Sequence, residues 1–561
     1  MKHLQKAAEK YKSLIMVYFM MGLTQTFLQS FQANYFQKVV DHFTAGALTA
    51  GNIAMYGSVM MALILVSYLL QYPERKLENG IRLSLKTAAL RKVAVIDYLS
   101  YVKLGTGALI QRIENGASAG GNMLFGFYLR LACELLPSML FSILFVFLIS
   151  RTVTMAILLG YIAVFIITNL LLKALYKVKE SILVNEEKFN HFLVRGFMEM
   201  VVFRVNRRFG HEQKKVEKAA GEIVSSKVRM KLIHEAFFTI FAVLIGLVKI
   251  GIVVYGWKTK TLTIGQIAAL IALADNAYFP IAIFNVIYVE FKLDEVAFAR
   301  YTDFLEADED TRLVQGEVVP ELGGSISFAK TGFRYNGRQI FDDFSLDIEQ
   351  GKATAFVGES GSGKSTAAKM IAGLLRPHSG QIKVGGFDLN KINLNSYYGH
   401  IMYLPQEPPV FDGTLRENLV FDDLVDDAAL LEAIGKVGLD GLYAKLEKGL
   451  DTQLGERGVS LSGGERQQLA LARLWFANAT IILLDEATSA IDNLTEEAVM
   501  KNVMAHLAGK TVIAIAHRLD SIRSFDRIIV FQDGRIAEQG RFAELMDKRQ
   551  SFFELYSRTM A

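Results

Sequence analysis

A single cysteine, Cys133, rules out an intramolecular disulfide framework and leaves the redox compartment open. Charge of one sign is also missing. The net balance is only +4 over 561 residues, so no concentrated basic face for nucleic acid is expected. Proline and tryptophan are scarce, at eight and two residues, while 52% of the chain is hydrophobic. That balance is too apolar for an ordinary soluble enzyme and implies membrane spans. No internal repeat or low-complexity segment is present.

The apolar residues concentrate in the first 300 positions, in six runs near Leu14–Phe36, Ile53–Tyr72, Phe127–Ile149, Val153–Leu172, Leu232–Tyr255 and Gly265–Tyr288. Each is long enough for a helix of about 20 residues to cross a bilayer. The connections 73–126 and 173–231 carry eight and fourteen Lys or Arg, against none, one and two in 39–52, 150–152 and 256–264. Basic residues are retained on the cytoplasmic side, so both termini are expected there. The start "MKHLQKAAEKYK" is basic, but the apolar run after it lacks a small-residue cleavage site. It reads as a retained first span.

Both long cytoplasmic connections place apolar residues among charges at helical spacing, as in "ENGIRLSLKTAALRKVAVIDYL" and "FNHFLVRGFMEMVVFRVNRRF". They are expected to extend the spanning helices beyond the bilayer. An acidic, polar stretch, "FLEADEDTRLVQGEVVPELGG", then marks a linker. After it, short β-branched runs ("ATAFVG", "TIILLDE", "TVIAIAH", "RIIVFQDG") alternate with helical patterns, the signature of a mostly parallel sheet covered by helices. The fold class is therefore a multidomain membrane protein. A six-helix, all-α transmembrane domain (1–305) and a linker (306–325) precede an α/β P-loop ATPase domain (326–561).

The chemistry lies in that last part. "GESGSGKS" follows the strand "ATAFV" and fits G-x-x-x-x-G-K-[ST]. Its glycines let backbone N–H groups of Gly358, Glu359, Ser360, Gly361, Ser362, Gly363, Lys364, Ser365 and Thr366 wrap phosphates. Lys364 reaches the terminal phosphates and the Ser365 hydroxyl ligates Mg²⁺. The strand "TIILLDE" delivers Asp485 and Glu486 to the carboxyl edge of the sheet, where open α/β folds bind ligands. Asp485 suits the Mg²⁺ shell and Glu486 suits a base or water-positioning role. A second glycine-rich stretch, "LSGGERQQ", has the S-x-x-E spacing of a capping box in Ser462, Gly463, Gly464 and Glu465. Its helix start is an anion site in its own right. It is either a capped helix alone or a site serving a nucleotide bound to another subunit.

These motifs resemble the ATP-binding cassette transporters: "LSGGE", the phosphate loop, "ILLDE", "SAID" (Ser489–Asp492), the glutamine of "YLPQEPPVF" and the histidine of "IAHR". Six preceding spans and "GERG" (455–458) are similar to half-transporters of the exporter (type IV) architecture. The resemblance implies that Tyr335 stacks on the adenine of ATP and that Gln406 contacts Mg²⁺ or the attacking water. It implies that His517 holds the γ-phosphate, that Asp492 lies at a dimer seam, and that Ser462 closes over the ATP of the opposite chain. The partner implied is a second half-transporter, giving a homodimer or heterodimer in the lipid bilayer, here the cytoplasmic membrane of a bacterium. Ile491 stands where leucine is usual in the family.

Turns near Gly105–Ala117 and Phe197–Phe209 are expected to act as coupling helices, converting cassette closure into opening of a cavity. For a small-molecule cargo, Gln25, Gln29 and Gln32 lie on one face of the first span, and Asp275 sits about 15 Å from the outer end of the sixth. Buried ionisable groups in a bilayer are functional candidates by default, although Lys249 offers Asp275 a structural partner. Export of an amphipathic or hydrophobic compound is the activity implied. The alternatives are uptake, as in iron-siderophore importers with an exporter-like fold, and a cassette-driven regulatory machine without cargo.

Overall fold

The structure is a computed structural model that describes all residues except 336, 422, 423, 456–458, 517 and 561. The side chains of 106–108, 165, 167–177, 179, 180, 183, 187, 285, 559 and 560 are likewise outside the description. His517 and most of the "GERG" stretch therefore lie outside the described residues.

The apolar runs fold into helices much longer than a bilayer requires: Lys12–Thr44, Ala50–Val93, Arg151–Met198, Phe209–Thr259 and Ile264–Leu305. The 51-residue helix Phe209–Thr259 is about 75 Å long. Where the connections are short, polar side chains close the helix starts. Thr49 accepts from Asn52 N, Ser150 from Val153 N, and Thr263 with Gln266 completes a capping box. Among the described residues, five helices are long and apolar enough to cross a membrane. The fourth expected span opens the helix Arg151–Met198, where the described residues form the apolar segment Arg151–Val164. The all-helical class is as expected, with five full-length spans among the described residues. The third span is irregular. Thr106–Gly121 runs through π-helical turns at Asn122–Leu129 and Leu131–Leu135 into Leu136–Ile149, and the wide turns lie just upstream of Pro137, which has no N–H for the helix ladder.

The first of the two expected cytoplasmic breaks falls earlier in the chain than the sequence suggested. Residues 106–121 are helical, and the turn lies at 94–105 around the short helix Tyr98–Leu104. Small residues within and just after the expected turn serve close packing. A Cβ on Gly116 would lie 2.1 Å from Tyr301 Cβ, and one on Gly120 would lie 2.6 Å from Leu85. The second break matches the expected segment, with the helix Met200–Val205 and a left-handed Arg207 between the two long helices. Phe197, Met198, Val201 and Val205 are exposed there.

By its internal contacts the chain forms two units, 1–94 with 104–307, and 95–103 with 308–561. In the second unit, residues 95–97 pair with 308–310. Asp97 N donates to Asp308 O at 2.9 Å and Asp310 N to Val95 O at 2.9 Å. Tyr98 and Leu99 pack on the apolar cluster that includes Phe328, Phe344 and Tyr397. Asp310 is buried and takes hydrogen bonds from Arg312, while Arg376 completes the group. Burial alone would raise the Asp310 pKa, but the Arg312 hydrogen bonds and both guanidinium charges hold it below the ordinary carboxylate range. The stability it contributes is present above the ordinary pKa and is lost as pH falls through the depressed value. Asp310→Asn is therefore expected to destabilise the cassette by about 3–5 kcal/mol at neutral pH by leaving Arg312 buried and unpaired. It should also flatten the acid limb of the stability profile, which thermal melts across pH would read.

The sheet behind the nucleotide motifs has the order Arg535–Gly540, Arg527–Gln532, Ala353–Gly358, Thr511–Ile515, Ile481–Asp485, Ile401–Leu404. All neighbours are parallel except the Arg535–Gly540 edge. Its central strands are buried throughout, matching their continuous β-branched and leucine runs. A four-stranded antiparallel sheet, Arg338–Ile348, Ile326–Tyr335, Ser379–Val384 and Phe387–Asp388, completes the unit.

Candidate active site

Strand Ala353–Gly358 ends in a loop whose Gly358, Gly361 and Gly363 all have positive φ. A Cβ on Gly358 would sit 2.2 Å from Phe531 O, so only glycine fits that approach. The helix Lys364–Ile371 begins at once, turning its first amides toward the loop. Lys364 is buried and curls back, donating to Gly358 O and Glu359 O at 2.8 Å each. Burial pushes its pKa down, against the charges of Glu486 and Asp485, which push it up. Among the described residues, the buried Ser362 Oγ of this loop has no hydrogen-bond partner. A cradle of amides with a desolvated ammonium and an orphaned hydroxyl fits a polyphosphate.

Asp485 ends the strand Ile481–Asp485 and accepts from Tyr403 Oη at 3.0 Å. Burial raises its pKa, while hydrogen bonds from Tyr403 and Ser365 oppose the rise. The hydrogen bond to Ser365 brings the phosphate-loop hydroxyl and the strand carboxylate together. That oxygen donor set, a hydroxyl and a carboxylate beside a phosphate cradle, fits Mg²⁺.

Glu486 follows in a left-handed conformation, φ 53°, which is uncommon for a residue with a side chain. Its N–H donates to Ile515 O at 3.2 Å, and its carboxylate accepts from Gln406 Nε2 at 2.7 Å. Gln406 thus faces Glu486 directly. Tyr335 stands at the end of strand Ile326–Tyr335, with 37% of its surface exposed.

The stretch read as "LSGGERQQ" starts the helix Gly463–Ala472, and Ser462 and Glu465 form the reciprocal capping box at 3.3 and 2.7 Å. A Cβ on Gly464 would lie 3.0 Å from Ala490 O, so the helix start also packs against the loop that follows Glu486. Asp492 caps the helix Asn493–His506 by accepting from Thr495 N at 3.0 Å, and that backbone hydrogen bond lowers its pKa.

Sequence reasoning missed four participants. Tyr403 holds Asp485. Gln467, 3% exposed, reaches the loops of Gln406 and Glu486. Glu496, also buried, accepts from Thr488 Oγ1 at 2.7 Å and Arg518 Nη1 at 2.6 Å, and Arg518 also donates to Ile491 O. Only the polar residues Gln467 and Gln468 ahead of the apolar "LALA" offered a signal, as polar positions on a helix with a buried face.

In the helical unit each cargo candidate has a neighbour. Gln25 donates to Ser67 Oγ at 3.0 Å, Gln29 to Asn276 Oδ1 at 3.3 Å and Gln32 to Tyr56 Oη at 3.4 Å. Lys249 pairs with Asp275 at 2.6 Å, and the Asp275 side chain remains 52% exposed.

A parallel sheet presenting a phosphate loop, a strand-end Asp-Glu pair and a glutamine, in a chain whose other unit is a set of membrane-length helices, defines the class. By fold it is a multi-pass membrane protein of ABC-exporter architecture, with membrane-length helices followed by an ABC-type nucleotide-binding domain. Residues 341–489 match the ABC transporter family model. The fold aligns with a structure described as a bacterial Atm1-family ABC exporter with ATP bound, at TM-score 0.84 and 23% identity, covering 99% of this chain and 100% of that one. Among similar proteins, the ATP-dependent permease MDL1 of Candida albicans is 34% identical over 62% of this chain and 53% of its own. The uncharacterized ABC transporter ATP-binding protein YwjA of Bacillus subtilis is 34% identical over 51% of this chain and 50% of its own. ABC transporter B family member 18 of Arabidopsis thaliana is 39% identical over 43% of this chain and 20% of its own. The chain thus spans from a fifth to about half the length of these relatives.

Proposed function

We propose that the protein is one subunit of a dimeric, ATP-driven transporter that exports an amphipathic or hydrophobic compound from a bacterial cytoplasm. The supporting observation is the convergence of Lys364, Asp485, Glu486 and Gln406 at one end of the parallel sheet. In this reading the phosphate-loop amides from Gly358 to Thr366 and Lys364 bind the polyphosphate, and Tyr335 stacks on adenine. Ser365, Asp485 and Gln406 hold Mg²⁺, which supplies charge neutralisation for phosphoryl transfer. Glu486 orients the attacking water and accepts its proton, and His517 holds the terminal phosphate. Ser462 to Glu465 and Asp492 complete the site of the partner chain. Each dimer then has two shared sites.

ATP binds the closed cassette pair better than the open one and so shifts the population between two states of the membrane domains. The turns at 94–105 and 199–208 transmit that change, the first through Tyr98 and Leu99 and the second through its exposed apolar residues. With the basic connections inside, both termini and the cassette are cytoplasmic. Accumulation of lipophilic compounds in inside-out vesicles on ATP addition tests the direction. Accumulation in right-side-out vesicles carrying ATP inside would reverse it.

Cargo contact is assigned to the face of Gln25, Gln29, Gln32 and Asp275, because Gln29 reaches Asn276 beside the half-exposed Asp275. Asp275→Asn is expected to change cargo-stimulated ATPase activity, and Gln25→Leu to shift cargo preference. A cycle with Lys249→Met separates this from scaffolding. If the double variant recovers about 0.5–3 kcal/mol of stability, and every folded variant responds to cargo as the wild type does, these residues belong to the scaffold.

A further inference from the structure

Gln467 has no role in binding or hydrolysis under the reading above, yet its side chain is among the most engaged in the cassette. It is 3% exposed and lies one turn into the helix Gly463–Ala472. Its amide oxygen accepts from Ala490 N at 2.7 Å. Its amide nitrogen donates to Ser489 Oγ at 3.0 Å, with Glu486 O at 3.3 Å and Gln406 O at 3.4 Å also in reach. One side-chain amide therefore fastens the signature helix to the backbone of Glu486, to that of Gln406, and to the loop Ser489–Asp492. The same loop is held from its other side by Arg518 on Ile491 O and by Glu496 on Thr488. Gly463 and Gly464 let the helix start lie against Ala490, with notional Cβ distances of 3.3 and 3.0 Å. Helix start and loop are therefore set to move as one body.

The consequence follows from which nucleotide each piece serves, and it rests on the shared-site reading. Ser462 serves the partner's ATP, whereas Glu486 and Gln406 serve the chain's own. We infer that Gln467 is the positioning residue that couples the two ATP sites: when the signature helix closes on one nucleotide, Gln467 moves Glu486 and Gln406 into place at the other. Asparagine is one methylene too short to span these partners, and methionine matches the length with no donor and only a weak sulfur acceptor.

The full-length protein in detergent or nanodiscs carries the test. Gln467→Met is expected to bind a fluorescent ATP analogue as the wild type does. Its kcat should fall about fivefold or more, and the Hill coefficient for ATP hydrolysis should drop from between about 1 and 2 to about 1. A merely structural role would lower the active fraction and the melting temperature while leaving the Hill coefficient of the surviving enzyme unchanged. A wild-type coefficient of about 1, or a wild-type coefficient retained in folded Gln467→Met, overturns the inference. If Gln467→Met does not fold, Ser489→Ala, which removes one partner of the amide, decides in its place: a reduced coefficient supports the coupling and a retained one overturns it. Complementation between phosphate-loop and signature variants reports on the shared sites separately. Its failure removes the reading beneath the inference, whereas its success with an unchanged Hill coefficient removes the coupling alone.

Discussion

Glu486→Gln is expected to bind ATP normally and to hydrolyse it at least about a hundredfold more slowly, trapping the cassettes closed. Under the proposed function, binding rests on the phosphate-loop amides, Lys364 and Tyr335, none of which the substitution touches. Glutamine keeps the shape of the side chain, and its amide still meets Gln406, which stands 2.7 Å from the carboxylate. What is lost is the anionic oxygen that, in the proposed function, aligns and deprotonates water. The left-handed backbone at this position fixes where that oxygen points, and the Glu486 N–H bond to Ile515 O fixes the backbone. Nucleotide retention on gel filtration together with phosphate release reads both halves of the expectation. Wild-type turnover in this variant would refute the role assigned to Glu486.

The catalytic surroundings were legible to different depths. The phosphate loop and the Asp-Glu strand end could be read because each is a contiguous string whose chemistry follows from its own backbone. "ATAFVGESGSGKS" has to be strand, turn and helix start for its amides to converge. The bracing by Tyr403, Gln467, Glu496 and Arg518 was not legible, since each contact joins segments between 8 and 82 residues apart. Nothing in a helix such as "GGERQQLALA" states which loop its buried face will meet. The turn between the second and third helices was misplaced for a related reason. Gly116 and Gly120 have the composition of a turn, but Tyr301 and Phe298 pack where a Cβ would project, and only the folded neighbours reveal that small residues are needed there. Long helices, by contrast, were plain from hydropathy, while their lengths beyond the apolar runs and the π-helical turns before Pro137 depended on packing.

Combining a Lys364→Ala chain with a Ser462→Arg chain is expected to restore ATPase activity that neither variant has alone. Lys364 is the buried cation of the phosphate loop, and in the proposed function its loss disables the site that binds the chain's own nucleotide. Ser462 opens the signature helix, where an arginine would break the capping box with Glu465 and block the helix start. If the signature serves the partner's nucleotide, a mixed dimer gathers both lesions in one composite site and leaves the other intact. Each parent homodimer carries a lesion in both sites. Mixed dimers isolated through two affinity tags should therefore hydrolyse ATP several-fold faster than either parent. If the signature instead served the nucleotide of its own chain, every site in the mixture would keep one lesion and no recovery would appear. Absence of recovery in purified mixed dimers would confine Ser462 to its observed role as a helix cap, and each chain would then have to complete its ATP site alone.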